Sequence, residues 1–355
     1  MNKKICFIGG GLSGGGQERA LTNYANEFAK NGNEVTIICL FKTEIFFSLH
    51  PDIRIIWPNI DRNKNNKFVY ATKLVPFIRK NVKISNPDVV ISFGDWYNSY
   101  VILATLFLNK KVYITNRMGP EKGYGHFINI FNKISYRFAS GMIVQTERAA
   151  KIMQSKFNLK KIAVIENILN PFNLEKLTPG KNIIAVGRLS KEKGHKTLIE
   201  AFSKIKKKND WTLSLVGDGP ELENLKNLTH SLGLEKNILF LGHLKDFTKE
   251  ISNASIYVLP SLFEGFPNSL IEAMSVPLAC IASDCVAGPR EIIHHKINGY
   301  LFEPGNSNEL CYFLEELIEN EELRNKIKKE AFKVRERFTL ENSYKKFESF
   351  VFNLQ

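Results

Sequence analysis

The 355-residue chain lacks any apolar run near the roughly 20 residues that cross a bilayer, and YVILATLFL is its longest. Cysteines are few and scattered, and no two stand in a C-x-x-C pair. This spacing argues against a disulfide framework or a zinc site and predicts a reduced, cytoplasmic environment. The start, MNKKICFIGGG, has too short an apolar stretch for a signal peptide, so we interpret it as a first strand.

Acidic residues are scarce in the first half of the chain. Residues 1–172 carry 24 Lys and Arg against 11 Asp and Glu, whereas residues 173–355 carry 25 of each. The net charge of +13 therefore arises from the first half. Two interpretations stay open: a solvated basic surface, or a face that meets an anionic partner such as nucleic acid, a membrane surface or a phosphorylated substrate.

Strand and helix patterns alternate along the chain, which predicts parallel sheets covered by helices on both faces. A polar stretch with Pro171, Pro179 and Gly180 interrupts this rhythm, and we interpret it as a linker. The predicted fold is α/β, with two doubly wound Rossmann-like domains facing across a cleft. We expect domains at 1–170 and 171–335, and a C-terminal helix at 336–355 that packs back on the first. Ligands of such sheets bind beyond the carboxyl ends of the strands.

A glycine-rich turn follows the first strand and formally satisfies G-x-G-x-x-G at Gly9–Gly14. The dinucleotide fingerprint also needs an acidic residue that ends the second strand, but Leu40–Lys42 stand there. A nicotinamide enzyme is therefore disfavoured. The neighbouring Gly15 and Gly16 predict a backbone that approaches an anion at a helix N-terminus, although a simple tight turn stays open.

Two post-strand loops of the second half could hold phosphate. The stretch GRLSKEKG places Arg188 and Lys193 after the strand NIIAV, where a planar guanidinium and a mobile ammonium suit a diphosphate. The turn VGDGP, with Gly217, could admit a nucleotide close to the backbone. Each loop could also be a solvated turn.

The stretch SLFEGFPNSLIEAM holds two carboxylates, one in a turn and one in the helix that follows. Carboxylates accept hydrogen bonds from sugar hydroxyls, so Glu272 could hold a ribose and Glu264 a second sugar beyond the diphosphate. Asn268 and Ser269 would present the helix N-terminus to the phosphates. The alternative is a solvated loop glutamate and a helix glutamate that complements the helix dipole.

With these motifs in order, the chain resembles the retaining GT-B glycosyltransferases of family 4. The resemblance rests on six stretches: GGQERAL, VQTERAAK, GRLSKEKG, VGDGP, PSLFEGFPNSLIEAM and DCVAGPREII. It implies a nucleotide-diphospho-sugar donor, with UDP as the expected nucleotide, held without metal or further cofactor. It also implies retention by attack from the leaving group's own face, with a phosphate oxygen as base and without a nucleophilic Glu264.

The resemblance assigns a role to each matching position. Arg188 and Lys193 would bind the diphosphate, Glu272 the ribose and Glu264 the hydroxyls of the transferred sugar. The remaining donor-binding residues would be Gly15, Gly16, Gly217, Phe266, Asn268 and Ser269.

One position departs from the family pattern. Many members carry a histidine after the strand that corresponds to KVYIT, whereas this chain has Asn116 and Arg117. We expect Arg117 to bind the acceptor or the charge of the donor, as a candidate catalytic residue beside Glu264, Arg188 and Lys193. His126 and His195 are interpreted as ordinary surface groups.

The acceptor is expected in the basic first half. The stretch NKFVYATKLVPFIRKNVKIS mixes apolar and cationic residues and would suit the surface of an anionic leaflet. We therefore expect a lipid-diphosphate-linked sugar acceptor and peripheral attachment to the inner face of a bacterial membrane. A soluble transferase acting on a small molecule and a nucleotide-sugar epimerase stay open, whereas no recognisable motif supports nucleic-acid binding.

Overall fold

The computed structural model describes residues 2–59, 67–120, 125–170, 179–208, 210–244 and 246–353. The linker residue Pro171 and the side chains of Phe68, Val69 and His126 lie outside the described residues. The chain divides into two compact units, Met1–Ile168 with Leu340–Gln355, and Leu169–Thr339. In the part of the chain that the structure describes, no helix combines the length and hydropathy that crossing a bilayer requires.

The first unit is built on a parallel sheet of β1 (Lys4–Gly9), β2 (Glu34–Cys39), β3 (Arg54–Ile56), β4 (Val89–Phe93), β5 (Lys111–Thr115), β6 (Gly141–Val144) and β7 (Ile162–Val164). The strand order is β3-β2-β1-β4-β5-β6-β7. The order reverses between β1 and β4, which is the point where such sheets open a crevice for ligands. Its helices are α1 (Gly16–Lys30), α2 (Lys67–Ser85), α3 (Asn98–Thr105), α4 (His126–Ser135) and α5 (Glu147–Phe157), with a 3₁₀ turn at Tyr136–Phe138.

The second unit repeats this architecture with β8 (Asn182–Val186), β9 (Thr212–Val216), β10 (Ile238–Gly242), β11 (Ile256–Leu259), β12 (Ala279–Ser283) and β13 (Tyr300–Phe302). Its parallel strands follow the order β10-β9-β8-β11-β12-β13 and reverse between β8 and β11. The helices are α6 (His195–Lys204), α7 (Leu222–Ser231), α8 (Thr248–Ser252), α9 (Asn268–Met274), α10 (Pro289–Ile292), α11 (Ser307–Glu319), α12 (Glu321–Ala331) and α13 (Val334–Arg337). A 3₁₀ turn at Lys191–Lys193 precedes α6.

The last helix, α14 (Leu340–Phe352), belongs to the first unit. The ring of Phe347 lies 4.5 Å from that of Tyr24, and Tyr344 meets Phe28 edge-on at 4.8 Å. Such aromatic pairs add stabilisation beyond their buried area, so α14 completes the core beneath α1.

The two sheets confirm the predicted doubly wound α/β fold. The central strands are apolar and buried along their length; all five residues of β4, VVISF, are inaccessible. Strands of this kind occur where helices cover both faces of a parallel sheet.

The interpretation of α2 as a lipid-facing segment is wrong for Leu74 and Ile78, two of the apolar residues on which it rested. Leu74, Ile78 and Val82 are buried in the core against the sheet, and Val75 and Phe77 pack beside them. A helix that covers a sheet must bury one stripe of apolar side chains, and α2 uses these residues for that purpose.

Candidate functional site

The loops that follow β8 and β11 lie side by side in the second unit, because these two strands pair where the sheet order reverses. The N–H of Leu262 donates to the carbonyl of Glu192 at 2.8 Å. Gly194 has a φ of +62°, and a Cβ placed there would lie 2.1 Å from the carbonyl oxygen of Pro260. Only glycine permits this approach, so the last glycine of GRLSKEKG joins the two loops.

Lys193 and Glu264 form an ion pair at this junction. The Lys193 Nζ lies 2.7 Å from Glu264 Oε1, and the Glu264 side chain is 7% exposed against 29% for Lys193. Ser261 donates its hydroxyl to the same Oε1 at 2.6 Å, and Ser283 donates in turn to the Ser261 carbonyl. A buried carboxylate needs such partners. The sequence predicted that both charges lie on loops beyond the carboxyl ends of the strands, and the structure brings them into direct contact.

Arg188 stands at the start of the same loop, and its side chain is exposed. The backbone beneath it is fixed, because Leu189 N–H donates to the Asp218 carbonyl at 2.9 Å. Gly217 lies on this neighbouring loop, where a Cβ would meet the Gly187 carbonyl oxygen at 1.9 Å. The glycine of VGDGP therefore joins the loops after β8 and β9 by close backbone packing.

Glu272 lies in α9 and is buried, at 7% exposure. Asn268 and Ser269 begin this seven-residue helix and are half-buried. Phe266, predicted to touch the donor, is also buried, and its ring packs edge-on against Phe338 at 5.8 Å between centroids. The ring therefore belongs to the core, and a donor contact at this position would use its backbone.

Tyr257 on β11 is fully buried close to both carboxylates. Burial raises the pKa of its phenol, and the negative charges of Glu264 and Glu272 raise it further. The phenol therefore stays neutral beside the site. Sequence reasoning missed this residue because the strand SIYVLP reads as uniform core.

His195 was predicted at the surface, and this prediction is wrong. It is the first residue of α6 and is 3% exposed. Burial, with the charge of Lys193 beside it, lowers the pKa of the imidazole to about 4. The ring is neutral at physiological pH, because the loop junction encloses it.

The His195 shift predicts a pH-dependent stability. The unfolded state takes up the proton near pH 6.5 and the folded state only near pH 4, so the unfolded state binds more protons between these values. Stability should therefore fall as the pH falls through this window, by about 2 kcal/mol between pH 7.5 and pH 5. We expect His195→Gln to lack this decrease in stability, and urea unfolding at pH 7.5 and pH 5 measures it. The exposed His294→Gln variant is the matched control, and equal slopes in all three proteins would contradict the assignment.

The glycine loop of the first unit leads into α1, with Gly15 as its N-cap and Gly16 as its first residue. The Glu18 side chain folds back towards this end, since a Cβ on Gly15 would lie 2.2 Å from Glu18 Oε2. Burial raises the pKa of Glu18. An acidic group thus shares the helix end where the sequence predicts an anion.

Arg117 and Asn116 follow β5 and are held inside the first unit. The amide of Asn116 donates to the buried carboxylate of Asp95, which also accepts the backbone N–H of Arg117 at 2.8 Å. The guanidinium of Arg117 lies 4.3 Å from the Phe93 ring centroid and donates to Asn167 Oδ1 at 2.7 Å. Burial lowers its pKa. These contacts give Arg117 a packing role. Its contact with a ligand stays a prediction.

Three further residues, each acting within its own unit, carried no sequence signal. Ser261, Ser283 and Asp95 fix the loops through hydrogen bonds between distant parts of the chain. Across the described ranges, no group of three or more His, Cys, Asp or Glu side chains is arranged to hold a metal ion.

The two parallel, doubly wound sheets are the GT-B fold of glycosyltransferases. Residues 168–334 match the family model "Glycosyl transferases group 1", and residues 14–171 match "Glycosyltransferase Family 4". The chain therefore belongs to the family 4 glycosyltransferases, which confirms the resemblance seen in its motifs.

Similar proteins include bacterial glycosyltransferases. An uncharacterized glycosyltransferase of Haemophilus influenzae is 30% identical over 331 residues, covering 90% of this chain and 92% of the relative. A Campylobacter jejuni α-1,4-N-acetyl-D-galactosaminyltransferase, named for a glycan on PP-undecaprenol, is 25% identical over 91% of both chains. The solved lipopolysaccharide outer core galactosyltransferase WaaB has a TM-score of 0.78 at 24% identity, over 99% of this chain and 100% of that one.

Proposed function

We propose that the protein is a retaining glycosyltransferase of bacterial surface glycan assembly. It moves a hexose or N-acetylhexosamine from a UDP-sugar to a lipid-diphosphate-linked sugar, without a metal, at the inner face of the cell membrane. The observation that carries the proposal is the ion pair between the half-buried Lys193 and the buried Glu264 carboxylate, where the second sheet reverses its order.

In this pair, Lys193 can bind the diphosphate of a nucleotide sugar while Glu264 binds the sugar that is transferred. The Lys193 ammonium has three N–H donors, of which Glu264 takes one, so two can turn to phosphate oxygens. Arg188 adds a guanidinium on the same loop. Glu264 accepts sugar hydroxyls while Ser261 holds its carboxylate, and Glu272 accepts the ribose hydroxyls.

The chemistry follows from where charge develops. As the sugar–phosphate bond breaks, negative charge grows on the diphosphate, and preorganised cations stabilise it. Glu264 serves this step by positioning Lys193 and the sugar. The carboxylate already accepts hydrogen bonds from Lys193 and Ser261, which makes it a poor nucleophile. A phosphate oxygen on the same face of the sugar is then the base for the acceptor hydroxyl, and configuration is retained.

Two observations support a lipid-linked acceptor. The Campylobacter jejuni relative is named for a glycan carried on PP-undecaprenol. The net positive charge of the chain arises from residues 1–172, which suits an acceptor that carries a diphosphate.

The test combines donor binding with product analysis. Thermal unfolding is measured with UDP-, GDP-, ADP- and TDP-sugars, where a ligand at about 100 times its Kd adds about 2.7 kcal/mol. The protecting donor is then incubated with an undecaprenyl-diphosphate-linked sugar and with small glycosides. An α-linked lipid product is expected from an α-linked UDP donor. Transfer to small glycosides alone would support the soluble alternative, and isomerised donor without any acceptor would support an epimerase.

Glu272→Gln tests the ribose assignment. We expect about tenfold weaker binding of UDP, because a carboxylate accepts stronger hydrogen bonds from hydroxyls than an amide does. A 2′,3′-dideoxy analogue of UDP should bind the variant and the parent equally. Calorimetric titration of both ligands checks this. An equal loss of affinity for both ligands would show that Glu272 does not contact the ribose hydroxyls.

A further inference from the structure

From Ile128 onwards, the helix α4 turns two polar residues inwards and its large apolar residues outwards. Asn132 and Ser135 are 3% and 6% exposed. Both bond to the buried Ser99, whose hydroxyl lies 2.5 Å from Asn132 Oδ1 and 2.7 Å from Ser135 Oγ. A helix on the surface of a soluble protein has the opposite arrangement, with its apolar stripe facing the core.

The outward face is a cluster of large apolar side chains. Within residues 128–138 the exposed members are Ile128, Ile130, Phe131, Ile134 and Phe138, the last two at 56% and 60% exposure. Elsewhere in the described residues, large exposed apolar side chains are spread over many elements. Isolated exposed apolar residues are common, whereas a contiguous group marks an interaction site.

The cluster extends towards the turn between α3 and β5. Phe107 in this turn is 96% exposed and has a φ of +62°. A bulky residue in this conformation costs about 1–3 kcal/mol, so the fold holds the ring outwards at a cost. Phe107, Lys110 and Phe138 line one surface cavity of about 450 Å³.

Cations surround these side chains. Lys133 and Arg137 are exposed among them, and the sequence from Phe127 to Thr146 contains no acidic residue. Nucleic acid would match the charge but not the isoleucines. Alternating apolar and basic groups match a lipid surface, where the apolar side chains enter the headgroup boundary and the cations meet anionic lipids.

We propose that α4, the 3₁₀ turn after it and Phe107 form a docking face for an anionic bilayer. This inference deepens the proposed function, on whose membrane location it rests, by naming the surface that makes the contact. It also replaces α2, in which Leu74, Ile78 and Val82 belong to the core, as the membrane-facing element. Docking by α4 would bring the enzyme to the leaflet that carries a lipid-linked acceptor.

Vesicle flotation of the full chain tests the docking face. The parent should bind vesicles of phosphatidylglycerol and phosphatidylethanolamine and be released by 1 M salt. Lys133→Gln with Arg137→Gln should weaken this binding about thirtyfold, since each cation near an anionic surface contributes about 1 kcal/mol. Ile134→Ser with Phe138→Ser should weaken it at least tenfold.

Matched controls lie in the second unit. Ile297 is 58% exposed, so Ile297→Ser mirrors the change at Ile134, and Lys326→Gln with Lys329→Gln mirrors the charge change. The controls should bind vesicles as the parent does. Full binding by the α4 variants would overturn the proposal, as would loss of binding through Lys73→Gln and Lys80→Gln on α2 instead. A dimer in sedimentation that Ile134→Ser disperses would assign the face to self-association and also overturn it.

Transferase activity on a short-chain, water-soluble acceptor separates the two hypotheses. The α4 variants should keep this activity, because they change none of the residues assigned to the donor or to the chemistry. Normal vesicle binding without any transfer would defeat the proposed function alone. Normal transfer without specific vesicle binding would defeat the docking face and the membrane location, and it would leave the transferase assignment standing.

Discussion

Lys193→Ala is expected to lower kcat by about 10²–10³-fold, the usual result of removing one preorganised group that stabilises developing charge. The expected effect is larger on kcat than on the Kd of the donor, because the charge on the diphosphate grows as the bond breaks. Stopped assays of sugar transfer and calorimetric titration of UDP measure the two quantities. Lys191→Ala is the matched control, since Lys191 is exposed in the same 3₁₀ turn.

The same substitution removes the Lys193 donor from the buried Glu264 carboxylate and leaves the hydrogen bond from the Ser261 hydroxyl. Glu264→Gln and the double variant therefore complete a cycle that separates stability from catalysis. We expect the double variant to recover most of the stability lost by Lys193→Ala, because it removes the uncompensated charge, but none of the activity. Recovery of activity would mean that Lys193 acts only by neutralising Glu264, and it would contradict a contact with the diphosphate.

Much of this site was accessible from sequence because parallel sheets follow strict rules. Loops after adjacent strands must meet at the carboxyl edge, so the strand–loop positions of Lys193 and Glu264 were enough to predict their neighbourhood. The two halves of the chain show the same alternation, and the doubly wound fold followed from that alternation without any information on individual contacts.

The direction in which side chains point was less accessible. His195 follows a polar loop and was predicted at the surface, and Phe266 was predicted to touch the donor, yet both side chains are buried. The apolar residues of α2 and α4 look alike in sequence. Contacts with distant parts of the chain determine which side of each helix is buried. The apolar stripe of α2 covers the sheet, whereas in α4 the polar residues Asn132 and Ser135 are buried because they hydrogen-bond to Ser99.

Gly194→Ala is expected to cause the largest loss of stability. Gly194 and Gly233 have nearly equal φ values, +62° and +65°, but a Cβ on Gly233 would meet nothing within 4 Å. Alanine at Gly233 should therefore cost only the backbone strain, about 1–2 kcal/mol. At Gly194 the added Cβ would lie 2.1 Å from the Pro260 carbonyl oxygen, a backbone atom that cannot rotate away. Overpacking typically adds about 1–3 kcal/mol, and urea unfolding of both variants measures the difference.

The clash should also lower the rate of transfer, because Gly194 follows Lys193 directly and packs against the loop that carries Glu264. Moving the loops apart by about 1 Å can cost about 10² in rate, so Gly194→Ala should lower kcat even under conditions where it is fully folded. Gly233→Ala should keep the kcat of the parent. If the two variants had equal stabilities and equal rates, the close contact between the loops after β8 and β11 would not determine the geometry of the site.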